Sequence, residues 1–253
     1  AEIDVAGQIS PVYITKNGKV MFLSAIPLTG GTIDTNNTGN QQTQQKEIPK
    51  TDKPVVEAFV MSHCPYGTQI EKGLLPVVRA LGDKIDFEVK FVYYAMHGEK
   101  EIKEELNQYC IQKEQNEKFI PYLECFLEAG DGEACLTSTG IDKTKLSACT
   151  AQADAQFDIT KNLDDKSSWL NGRFPLFNIY KQDNEKYDVG GSPTLIINGV
   201  QANSGRDSAS LLEVVCSAFN TAPEQCKTEL SSAAPGPGFG YDSTGSNTAA
   251  QCN

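Results

Sequence analysis

Eight cysteines and two histidines stand in a chain of 253 residues, and their spacing limits the chemistry open to them. The cysteines occupy positions 64, 110, 125, 135, 149, 216, 226 and 252, so no Cys-x-x-Cys pair occurs. His63 and His97 do not have the spacing of structural zinc ligands, and no metal site or cofactor is expected. Separations of 10 to 15 residues between neighbouring cysteines suit disulfides that close short helical hairpins. A disulfide framework belongs to an oxidising, extracytoplasmic setting: secreted, periplasm-like or lumenal. No phosphate loop or serine triad is present.

Charge excludes a second class of function. Lys+Arg number 22 and Asp+Glu 33, so the net charge is 22 − 33 = −11, which disfavours nucleic acid as a partner. No run approaches the length of a membrane span. The sequence opens at Ala1 without Met, the pattern expected after a removed signal peptide or N-terminal anchor, which would leave the protein free or membrane-tethered.

Composition divides the chain. Residues 1–31 form an N-terminal extension, with the turn Asn17-Gly18 able to make a small β-hairpin or docking strand. Residues 32–53, rich in Asn, Gln and Thr, read as a linker, and Asn36-Asn37-Thr38 matches the glycosylation acceptor pattern. Residues 54–98 read as β-α-β: an apolar run at 55–61, helical spacing from Ile70 to Leu81, then alternation from Ile85 to Tyr93. Residues 99–163 form a helical insertion holding four cysteines, and the alternation of Glu with Lys from Glu99 to Glu105 reads as a solvated helix face. Residues 164–230 supply β-β-α, with the strand at 194–197, the hairpin turn Asn198-Gly199 and a helix at 208–219. Residues 231–253, containing Pro-Gly-Pro-Gly-Phe-Gly, read as a flexible C-terminal tail. The order βαβ, helices, ββα predicts an α/β thioredoxin fold with a disulfide-bonded helical insertion.

Within that order Cys64 ends a strand and Pro65 begins a helix, whose unpaired N–H groups favour a thiolate. Cys64 is therefore the candidate nucleophile. Pro193, in Gly191-Ser192-Pro193-Thr194 before the later strand, stands where a thioredoxin topology places a cis proline beside the reactive cysteine. There it leaves a backbone edge free to pair with an extended substrate. Cys64 and Pro193 are the candidate catalytic residues; His63, Pro65, Tyr66, Gly67, Ser192 and Thr194 are the candidate substrate contacts.

Cys64-Pro65-Tyr66-Gly67 resembles the Cys-Pro-Tyr-Cys motif of glutaredoxins and of thioredoxin-fold oxidoreductases of the DsbA type, with Gly67 in place of their second cysteine. Ala95-Met96-His97-Gly98, Glu101-Ile102 and Cys110 resemble the signature of the gamma-interferon-inducible lysosomal thiol reductase family, with Ala95 and Ile102 where that signature has cysteines. Ser192-Pro193-Thr194-Leu195 and the segment from Cys216 to Cys226 are similar to the thioredoxin-like luminal part of plant vacuolar sorting receptors, which bind cargo. The first two resemblances imply a thiol-disulfide oxidoreductase acting on a disulfide-containing protein or a small thiol substrate; the third implies a non-catalytic peptide- or protein-binding module.

A lone Cys64 lacks the second thiol that resolves a mixed disulfide within the site, which points to a monothiol reductase or isomerase, a binding module, or a resolving thiol elsewhere. Six cysteines are expected to be structural. Cys216 with Cys226 is a local bridge; Cys125 with Cys135 and Cys110 with Cys149 form a preferred nested arrangement, with Cys110–Cys125 and Cys135–Cys149 as the alternative. That leaves Cys252, which as a flexible tether 26 residues beyond Cys226 spans roughly 28 Å and is read either as a candidate resolving or protective thiol for Cys64 or as a tether to a partner or a terminal remnant. His63 is read either as a charge that favours the thiolate or as an exposed neutral histidine, and His97 as a turn or cap.

Overall fold

The computed structural model of the chain describes residues 47–241 and, before them, the backbone of four short strands. The linker residues 32–46, the Asn36 acceptor pattern, the Asn17-Gly18 turn, and Cys252 lie outside the described residues. Two compact units divide at residues 45 and 46. In the first, β1 (Glu2–Val5) pairs antiparallel with β2 (Gln8–Pro11), and β3 (Tyr13–Ile14) with β4 (Met21–Phe22).

The second unit is built on a four-stranded sheet. β5 (Val55–Val60) runs parallel to β6 (Asp86–Phe91), with α1 (Pro65–Leu81) between them in sequence. β7 (Thr194–Ile197) lies antiparallel to β5 on its other side, and β8 (Val200–Ala202) antiparallel to β7, giving the order β6-β5-β7-β8. α8 (Ser208–Ser217) follows and packs against α1. This strand order, two parallel strands joined by a helix and a hairpin added on the other side, is the thioredoxin topology.

Alternation along β5 explains why the sheet is covered on both faces. Val56, Ala58 and Val60 join the main core with Leu74, Leu75, Val77 and Leu211, whereas Phe59 and Met61 join a smaller cluster with Cys64, Val92, Val189 and Ile196. The turn between β7 and β8 uses Asn198 and Gly199, both at positive φ (48° and 81°), the conformation two-residue hairpins demand.

Between β6 and β7 stand α2 (Glu99–Glu114), α3 (Asn116–Ala129), α4 (Gly132–Ser138), α5 (Lys143–Phe157), α6 (Ile159–Asp164) and α7 (Lys181–Tyr187). Disulfides join Cys110 to Cys149, tying α2 to α5, and Cys125 to Cys135, tying α3 to α4. A third joins Cys216 of α8 to Cys226.

The structure corrects one expectation here. The Glu99 to Glu105 run is not a solvated face: Glu101, Ile102, Glu104 and Glu105 are buried, while Glu99, Lys100 and Lys103 face water. The alternation of signs hides the period, because positions 101, 104, 105 and 108 share one helical face that packs inward.

Candidate active site at the Cys64 turn

Cys64 is the N-cap of α1, and Pro65 occupies the first helical position, where its missing N–H and fixed φ are tolerated. The chain turns sharply there, with Cys64 N–H donating to the Met61 carbonyl at 2.9 Å. Among the described residues Cys64 is the one cysteine outside a disulfide, and it is 4% exposed. Its thiol donates to the carbonyl of Ser192 at 3.7 Å, and the Ser192–Pro193 peptide bond is cis.

Ser192 does a second thing: its hydroxyl accepts the Met61 N–H at 2.9 Å, fixing the loop that carries the cysteine. Gly67 fits against it. A Cβ at Gly67 would stand 2.7 Å from Ser192 Oγ and 2.9 Å from the Met61 carbonyl oxygen, so the space a side chain at that position would need is already filled.

The remaining sequence candidates divide into two sides. Tyr66 is 51% exposed, with the Arg206 guanidinium 4.8 Å over its ring and that same group donating to Gln69 Oε1 at 2.8 Å. Pro193, Thr194 and Arg206 line a depression of about 190 Å³ together with Ile70 and Ser204. A larger cavity, about 600 Å³, is lined by Val55, Phe87 and Tyr109; Val55 opens β5 whereas Cys64 follows its far end, so that cavity has no part in the site.

His63 faces away from this groove. Its ring packs edge-on against Phe126 at 5.6 Å and Phe239 at 5.8 Å, and its Nδ1 lies 3.1 Å from Ser62 Oγ. Burial, helped by the charge of Lys100, lowers its pKa to about 4, so His63 is neutral at neutral pH. Of the two forms expected, the charged one does not hold; the neutral one does, but half-buried in an aromatic slot instead of exposed.

Two residues that residue-type reasoning did not single out as site groups hold the turn from behind. Glu101, 0% exposed, accepts the His63 N–H at 3.2 Å, the Met96 N–H at 2.8 Å, the His97 N–H at 3.1 Å, and pairs with His97 Nδ1 at 2.6 Å. Glu105 Oε1 accepts the Ser62 N–H at 3.2 Å. One carboxylate thus joins the cysteine turn to the His97-Gly98 turn that opens α2. The signal was the motif placing Glu101 after His97-Gly98; the solvated-face reading of the charge run obscured it. No group of His, Cys, Asp and Glu able to hold a metal occurs among the described residues.

No family model matches the chain, and no curated protein does. Solved structures do. DsbA from Mycobacterium tuberculosis in its reduced form is 14% identical, covering 70% of this chain and 93% of its own, with a TM-score of 0.49. The disulfide bond oxidoreductase DsbG of the same organism is 14% identical over 70% and 88%, TM-score 0.46, and BdbD from Bacillus subtilis is 15% identical over 66% and 89%, TM-score 0.45. The thioredoxin fold of this chain is read from its own strand order and from the helix that starts at Cys64 opposite a cis proline.

Proposed function

We propose that the protein is an extracytoplasmic thiol-disulfide exchange enzyme with one nucleophile, Cys64. The observation that carries this reading is the meeting of Cys64 Sγ, at a helix N-terminus, with the carbonyl before a cis proline. In the reaction, the Cys64 thiolate attacks one sulfur of a substrate disulfide, forming a mixed disulfide and releasing the other sulfur as a thiolate. A second, external thiolate then attacks the substrate sulfur of the mixed disulfide and expels Cys64, so one disulfide is exchanged for another and Cys64 is regenerated; a further external thiolate attacking the new disulfide completes a two-electron reduction. Pro193 has no N–H, and Ser192 and Thr194 beside it offer a backbone edge to an extended substrate, with Tyr66 and Arg206 as the far wall.

The filled space at Gly67 supports a monothiol cycle, reductive or isomerising. Gly67→Cys is expected to destabilise the fold by about 1–3 kcal/mol through overpacking in urea titrations, and by less when made in a Ser192→Ala background. A Gly67→Cys loss that is the same in the Ser192→Ala background as in the unaltered protein would show that the Ser192 hydroxyl is not the obstacle. Cys252 remains the candidate for an internal resolving thiol, and non-reducing peptide mapping for a Cys64–Cys252 peptide tests that role. The three disulfides favour an oxidising compartment. Among the described residues no helix is long and apolar enough to cross a membrane.

The depth of Cys64 favours one competing reading, a module that holds an extended peptide in the same groove without exchanging disulfides. Reduction of insulin or glutathione disulfide by the protein and by Cys64→Ser separates the two. Exchange that disappears with Cys64 is the expected result; an inactive protein that still binds an extended peptide would establish the module.

A further inference from the structure

The segment at 235–241, Pro-Gly-Pro-Gly-Phe-Gly-Tyr, offers only two large side chains for burial, yet it is held along its whole length. Lys72, 3% exposed on α1, donates from its ammonium to the carbonyls of Gly236, Gly238 and Gly240 at 2.7, 2.8 and 2.6 Å. Gly238 and Gly240 have φ of 80° and 93°, a left-handed curl that turns alternate carbonyls toward one cation. Gln69 donates to the Pro235 carbonyl at 2.6 Å, Gly238 N–H to Pro65 at 3.0 Å, Gly240 N–H to Leu127 at 2.9 Å, and Tyr241 O–H to Glu124 at 3.3 Å. Phe239 enters the slot made by His63 and Phe126 and lies over Gly130, where a Cβ would approach its ring to 2.8 Å.

We propose that residues 235–241 are a built-in wall of the Cys64 site that selects substrates by size, and that Lys72 is the latch holding it. The proposal rests on the reading of Cys64 as the reacting thiol. The wall is fastened to His63 and Pro65, the residues on either side of Cys64, so it closes the approach from that flank. The opposite flank, with exposed Tyr66 and the depression at Pro193, stays open. The latch follows from desolvation. A buried ammonium is tolerated only with its protons satisfied, and here the three acceptors are wall carbonyls. Lys72 is a positioning residue; it acts on the site through the wall.

The test compares alkylation of Cys64 by iodoacetamide and by a maleimide carrying a polyethylene glycol chain in native protein with its three structural disulfides intact and Cys252→Ser in every full-length chain, with modification at Cys64 scored by peptide mass spectrometry. Lys72→Met in the full chain, and a chain ended after Ala234 set against one ended after Tyr241, are expected to raise the bulky-to-small rate ratio about tenfold, a barrier change of about 1.4 kcal/mol. Chymotrypsin cleavage at Phe239 or Tyr241 reports release in Lys72→Met. Release without a change in the ratio overturns the wall, as does an unchanged ratio in the chain lacking it. A protected segment in Lys72→Met, with a raised ratio only on truncation, overturns the latch and keeps the wall. Should both variants fail to fold by circular dichroism, Phe239→Ala decides by the same ratio. The ratio is read whether or not Cys64 exchanges disulfides, so an inactive protein with a shifted ratio refutes the proposed activity and leaves the wall standing.

Discussion

Glu57 on β5 and Glu71 on α1 are both removed from water, at 5% and 1% exposure, yet they meet different surroundings. Glu57 Oε1 lies 2.6 Å from Lys90 Nζ, which also reaches Asp183 at 2.6 Å. Burial alone would lower the Lys90 pKa, but its hydrogen bonds to Asp183 and Glu57 raise it instead, and the group stays charged. Glu71 has no protein hydrogen-bond partner among the described residues, although Lys72 is its neighbour in sequence, because that ammonium is turned to the carbonyls at 236, 238 and 240. Burial, then the charge of Glu104, lifts Glu71 well above the carboxylate range. Glu105 is lifted likewise, by burial and then Glu101, and Glu104 by burial to about 7, against the hydrogen bonds of Gln108 and Tyr122. One region is an ion-paired network around a charged Lys90; the other is a cluster of buried carboxyls behind the Cys64 turn whose pKa values are pushed up by burial. Burial sets the penalty on charge, and the partner decides whether the charge survives.

Breaking the paired region should have the largest effect. Lys90→Met leaves Glu57 and Asp183 facing each other without a cation, and a loss of about 3–5 kcal/mol is expected in urea denaturation. A loss under about 1 kcal/mol would mean that the two regions do not differ in this way.

The neutral cluster should show itself through pH. Glu104 has a folded pKa of about 7 against an ordinary 4.5, so the folded state holds the extra proton between those values. Stability from this group is complete below 4.5 and declines as pH rises through 7, by up to about 3 kcal/mol. Glu104→Gln should remove that decline, measured as urea midpoints at pH 5 and pH 8; an unchanged pH slope would assign the cluster's pH dependence elsewhere. His63 acts in the opposite direction. Its folded pKa of about 4 lies below the ordinary 6.5, so its contribution is complete above 6.5 and shrinks as pH falls toward 4. His63→Gln should flatten that acid side. The smallest effect belongs to Glu71→Met, a replacement of similar length at a site with no partner to lose. It should change stability at pH 6 by no more than about 1 kcal/mol, and a large loss would reveal a partner for the carboxyl.

Much of the fold was legible locally. The apolar run at β5, the helical period of α1 and the alternation of β6 each lie within a few residues, as does the Asn198-Gly199 turn. Cys64 and Pro193 could be proposed as a pair because strand and helix boundaries stand beside them. α7 was not legible, since Lys-Gln-Asp-Asn-Glu-Lys-Tyr has no apolar period. It is held by Asn184, which donates to the Phe91 carbonyl at 3.0 Å and accepts the Tyr93 N–H at 3.3 Å, and by Asp183 on Lys90. The residues at 235–241 have the composition of a tether, and nothing near them in sequence reveals that Lys72 will bind them.

The sequence by itself determined the order of the four sheet strands with α1 and α8, the start of α1 at Pro65 and the absence of a Cys-x-x-Cys pair, because each depends on neighbours along the chain. Tertiary structure alone decided which buried carboxyls gain a cation and which are pushed toward the neutral form, that Ser192 fills the space at Gly67, and that a glycine-rich segment walls one flank of Cys64. Those outcomes depend on groups brought together from up to 168 residues apart, as in the bond from Lys72 to Gly240. The energy of a buried charge or an unpaired carbonyl is set by what the fold places within about 3 Å of it.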